Sequence, residues 1–76
     1  MHRVTITMEL SSKDAFTNVE YALSAIAHVS LERLPKKHIQ VTIETDDPDL
    51  VDIVREIAWE YDPAAVQQSL ILADVS

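Results

Sequence analysis

Apolar and polar residues alternate along two stretches of the chain and recur at helical spacing along two others. From His2 to Met8, Val4, Ile6 and Met8 fall on one side, and Arg3, Thr5 and Thr7 on the other. That is the period-2 signature of a half-buried strand. Residues 38–45 repeat it, with Ile39, Val41 and Ile43 set against His38, Gln40, Thr42 and Glu44. Strands covered on both faces read as continuous apolar runs. The pattern therefore predicts a sheet with helices on one face and a wet, threonine-rich face on the other.

Between these strands lies the longest helical signal, from Ser11 to Pro35. Ser11 and Asp14 have the spacing of a capping box. Pro35 disfavours the helical conformation at Leu34 and predicts a stop near Arg33. Arg33, Lys36 and Lys37 would then sit at the negative end of the helix dipole. At about 100° per residue, Phe16, Val19, Ala22, Leu23, Ile26, Ala27, Val29 and Leu34 share one broad arc, which Ala15 extends. Such a width predicts contact with more than one neighbour. If the two strands flanking this helix are parallel, the unit is right-handed.

Asp47-Pro48 opens a second helix, with Asp at the N-cap and Pro at the first helical position. Leu50, Ile53, Val54, Ile57, Ala58 and Tyr61 form its apolar stripe. Asp62-Pro63 repeats the start signal, so this helix ends by about Tyr61. Beyond it, Gln67-Gln68 favours a third helix, whereas Leu70-Ile71-Leu72 suits a short buried strand. The expected fold is a single small two-layer α+β domain, β-α-β-α-(α), with a half-buried sheet and helices on one face. The alternative is β-α-β-α-β, with a C-terminal third strand.

Composition narrows the function. A chain of 76 residues makes one domain with a small core. It has no cysteine, which excludes disulfides and thiolate metal sites, and no glycine, which excludes glycine-rich phosphate loops. It carries a net charge of −7, and the sign is unevenly distributed. Residues 1–43 sum to +1 and residues 44–76 to −8. So acidic a chain repels phosphate backbones, and no nucleic-acid binding is expected. No signal peptide or membrane span is recognisable, so cytoplasmic residence is the default expectation.

Trp59 is the strongest candidate for contact with another molecule. It projects about 180° from Leu50 and about 160° from Ile57, onto the face that carries Asp52, Arg55 and Glu56. Tryptophan on a polar face is enriched at interface hot spots. The competing expectation is intramolecular: cover by the C-terminal segment, or stacking of Arg55 on the ring. Asp46, Asp47, Asp49 and Asp52 cluster, but they lack the glycine and terminal glutamate of a calcium loop. Acidic residues in a first helical turn are ordinary dipole complements. His2, His28 and His38 have no metal-ligand spacing. Tyr21, Ser24 and His28 form a weak polar cluster without an oxyanion hole or third catalytic member. No catalytic, metal or cofactor residue is assigned.

These features favour a non-catalytic accessory protein that self-associates and presents a surface to a protein partner. The alternative is an acidic regulator that neutralises a basic partner through Asp46 to Asp62, and a small enzyme ranks third. Self-association, most simply as a dimer, is expected because two strands make too small a sheet and leave unblunted edges. A repeat of Ala15, Ala22 and Val29 along the long helix would suit a helix contact between copies.

Overall fold

The computed structural model describes residues 2–75. Within them the order is β1 (His2–Glu9), α1 (Lys13–Ser24), β2 (Val29–Leu34), β3 (His38–Thr45), α2 (Pro48–Tyr61), α3 (Pro63–Gln67) and β4 (Leu70–Val75). The four strands form one sheet in the order β2-β3-β1-β4, and every neighbouring pair is antiparallel. This is the split β-α-β, or ferredoxin-like, arrangement. Fold alone implies no activity here.

The alternation in β1 and β3 reads out as expected. Val4 pairs with Ile43, Ile6 with Val41 and Met8 with Ile39. All of these except Val4 are fully buried, and Val4 packs against the same cluster. Both long helices add to it, α1 through Val19 and Leu23 and α2 through Val54 and Ala58. Thr5, Thr7, Gln40 and Thr42 occupy the opposite sheet face. The structure is thus a two-layer α+β domain with its helices on one side. The two strands read from the sequence, β1 and β3, are antiparallel neighbours, whereas the strands that flank α1, β1 and β2, both run antiparallel to β3 and so lie parallel to each other with β3 between them.

The long helix expected over residues 11–33 is shorter. Ser12, not Ser11, is the N-cap of α1, its side chain accepting from the Ala15 N–H at 3.1 Å. The helix stops at Ser24, whose hydroxyl donates to the Tyr21 carbonyl at 2.8 Å. His28 then takes a left-handed φ of 69° and turns the chain back. From Val29 the residues alternate, with Val29 and Leu31 half-buried and Ser30 and Glu32 exposed. Pairing of Val29 with Ile43 and Leu31 with Val41 wins over local helical spacing, because it buries apolar side chains and completes a backbone ladder together. Val29 therefore belongs to a strand, and the seven-residue repeat on one helix is lost. Arg33, Lys36 and Lys37 likewise do not cap a helix.

A tight turn joins β2 to β3. The His38 N–H donates to the Pro35 carbonyl at 3.3 Å, and both central residues, Lys36 and Lys37, are left-handed, at φ 60° and 61°. These are the signs of a type I′ turn, usually met by Asn-Gly. The His38 ring supports it, with Nδ1 donating toward the Pro35 and Lys36 carbonyls at 3.0 and 3.1 Å.

At the other end, both signals in residues 63–75 are realised in sequence. Asp62-Pro63 starts the short α3, and Leu70-Ile71-Leu72 lies in β4. β4 pairs with β1, Ile6 opposite Ile71 and Thr5 opposite Leu72. Two consequences follow for the expected dimer. The sheet has four strands within one chain, so smallness no longer demands a partner. The strands thought to expose edges, β1 and β3, are both interior.

Candidate functional site

On α2, Asp52, Arg55, Glu56 and Trp59 are spaced three or four residues apart and so share one face. Asp47 sets the start of this helix, accepting from the Asp49 N–H at 2.9 Å, with Pro48 at its first position. Val54 and Ala58 point into the core, which turns the Asp52–Trp59 row outward. Across from that row stands α3, placed by Asp62. The Asp62 carboxylate is only 4% exposed. Its Oδ1 accepts from the Ala65 N–H at 3.2 Å and the Ser11 hydroxyl at 2.9 Å, while Oδ2 accepts from the Ser11 N–H at 2.6 Å. One side chain therefore caps α3 and ties it to the segment leading into α1. Burial pushes its pKa up, but the hydrogen bonds from Ser11 and Ala65 outweigh this and hold it below the usual carboxylate range.

The result is an open groove of about 360 Å³ lined by Asp52, Arg55, Glu56, Trp59, Val66 and Gln67. All four residues singled out from the sequence as interface candidates lie in it. What the sequence did not supply was the second wall, Val66 and Gln67. Its only local clue was the Asp62-Pro63 start signal, which predicts a helix but not where it packs. Trp59 remains 44% exposed, so α3 borders the ring without covering it. Among the described residues the cation–aromatic stack involves Arg33 and Phe16, 5.6 Å from guanidinium to ring centre, and not Arg55 and Trp59.

The weak polar cluster is not assembled into a site. Tyr21 is 81% exposed, Ser24 is turned to a helix carbonyl, and His28 lies beyond the helix end. Among the described residues, no hydrogen bond joins these three side chains, and no group of three or more His, Asp or Glu is placed to hold a metal ion. His38 faces Glu9 at 3.7 Å. Of the acidic run, Asp47 caps α2 and Asp62 is consumed inside the protein.

A second concavity, about 390 Å³, is lined by Lys13, Phe16, Arg33, Leu34 and Lys37. Arg33 forks onto Glu20 through Nε and Nη2, and that hydrogen bonding holds the Glu20 carboxyl below its ordinary range. Three of the chain's six Lys and Arg residues, Lys13, Arg33 and Lys37, thus line one concavity. Sequence spacing concealed this, because it depends on the β2–β3 turn. No described helix is long and apolar enough to cross a membrane. Compared with known proteins, the chain matches no family model and no curated protein.

Proposed function

We propose that this is a non-catalytic interaction protein of the cytoplasm that self-associates and uses the α2–α3 groove to hold a segment of a protein partner. The observation that carries this reading is the half-exposed Trp59 on the charged α2 wall, beside Asp52 and Glu56 and across the groove from Val66 and Gln67 of α3. An aromatic side chain in a concavity, rimmed by polar groups, has the anatomy of a binding hot spot. Two carboxylates against one guanidinium make the rim acidic. The complementary segment inserts an apolar side chain against Trp59 and flanks it with Lys or Arg. Steering by the acidic α2 accelerates its arrival.

Trp59 is the only tryptophan in the chain, so its fluorescence reports on the groove alone. Titration with a short Leu/Lys peptide should shift its emission to the blue and saturate. Trp59→Ala, followed by calorimetry with the same peptide, should weaken binding by about 2 kcal/mol or more while leaving the folded state intact. If Trp59→Ala binds as the parent does, or unfolds at ordinary temperature, the groove is not the binding surface.

A further inference from the structure

Among the described residues, three exposed large apolar side chains follow one another on a single strand. Leu70 and Leu72 are each 60% exposed and Ile71 is 40% exposed, consecutive residues on an outer strand of the sheet. Leu70 and Leu72 lie on the helix-free face, beside Thr7 and Thr5. Ile71 lies on the helix face, opposite Ile6. One side of β4 is hydrogen-bonded to β1, and along its outer side the backbone N–H and C=O groups have no described strand beside them. A long apolar edge of this kind is a template for pairing with another chain, and proteins ordinarily blunt it with charge, proline or a bulge. The opposite edge, β2, has such protection. It carries Glu32 and Arg33, with Pro35 directly after it, whereas the only charge in β4 is Asp74, one residue from its end.

We propose that a second copy of this chain pairs with the outer edge of β4, antiparallel across a two-fold axis, and joins the two sheets into one. This rests on the self-association in the reading above and gives it a location. Three observations favour a second copy over an unrelated strand. Leu70-Ile71-Leu72 is palindromic about Ile71. Antiparallel pairing centred there sets Leu70 of each copy against Leu72 of the other on the open face and Ile71 against Ile71 on the helix face. Within β4 this register pairs residues 70–72 of the two copies, and those contacts are all apolar, while both open faces continue on one side. The stretch from Gln67 to Ala73 is also uncharged, so two chains of charge −7 can approach here without opposing carboxylates along it. Finally, a strand edge offers donors and acceptors in alternation, and a two-fold axis lets one edge satisfy an identical one.

The test is sedimentation equilibrium of the full chain over a hundredfold dilution, for the parent, Leu72→Lys and Tyr21→Lys. Tyr21→Lys makes the same charge change on an exposed position of α1. The parent should approach the mass of two chains. Leu72→Lys should weaken the dimer by at least about tenfold, with an unchanged circular dichroism spectrum, and Tyr21→Lys should not. Hydrogen exchange should show alternate β4 amides slowing as concentration rises. A dimer equally stable in Leu72→Lys, or β4 exchange that ignores concentration, overturns the β4 interface and leaves self-association standing. A parent of one-chain mass at every concentration overturns both, and the groove is judged separately by its own titration.

Discussion

With two N–H groups and one hydroxyl directed at it, the Asp62 carboxylate stays charged inside the protein, and α3 depends on that charge. Replacing it by Asn keeps one acceptor oxygen but turns an NH₂ toward the Ser11 N–H, donor against donor. Asp62→Asn should therefore lower stability by about 1–3 kcal/mol in urea at neutral pH. The pH dependence has a definite sign. The folded pKa lies below the unfolded one, so the unfolded chain binds the proton first and the stabilisation is complete above the unfolded value of about 3.9. It is lost as pH falls through the lower, folded value. The parent should lose stability on acidification below about pH 4, and Asp62→Asn should show a shallower loss over that window. Equal slopes in the two proteins would mean that other carboxylates set the acid limb. Nothing in the sequence marks Asp62 as more than an N-cap. Its second role comes from Ser11, fifty-one residues away, and such a contact leaves no local pattern.

At the scale of elements, legibility followed from whether the pattern was local. The strand alternation of β1 and β3 and the Asp-Pro start of α2 are complete within their own segments, and they fold as read. Residues 25–34 are different. Ala27, Val29 and Leu34 fit a helical arc as well as a strand, and with no glycine the turns at His28 and at Lys36-Lys37 carry no warning residue. β2 is settled only by the sheet partner that lies beyond the turn. The turn itself is costly, since a left-handed residue with a side chain gives up about 1–2 kcal/mol. Lys36→Asn with Lys37→Gly supplies the residues a type I′ turn prefers. Part of the gain is offset by the freedom glycine adds to the unfolded chain. The double variant should still be more stable by about 1 kcal/mol, seen as a higher urea midpoint at constant slope. An unchanged or lower midpoint would show that the lysine side chains themselves stabilise the hairpin.

Over the whole molecule, charge separates the two surfaces. The chain spans 34 × 20 × 19 Å, and its fixed charge of −7 acts over a screening length of about 8 Å at physiological salt and about 3 Å at 1 M. In the proposed dimer, two copies meeting along the uncharged stretch from Gln67 to Ala73 gain from apolar contact and backbone pairing, while the rest of each chain repels the other. Salt screens that repulsion and leaves the apolar contact in place. The α2–α3 groove has the opposite balance, because its acidic rim attracts a basic segment and salt screens the attraction. Raising sodium chloride from 0.05 to 0.5 M (roughly a threefold drop in screening length) should therefore strengthen self-association and weaken binding of the Leu/Lys peptide to Trp59. Sedimentation and fluorescence titration on the same preparation read the two constants. If both move in one direction, the separation fails: joint weakening would place charge contacts in the dimer, and joint strengthening would make the groove an apolar site whose carboxylates are bystanders.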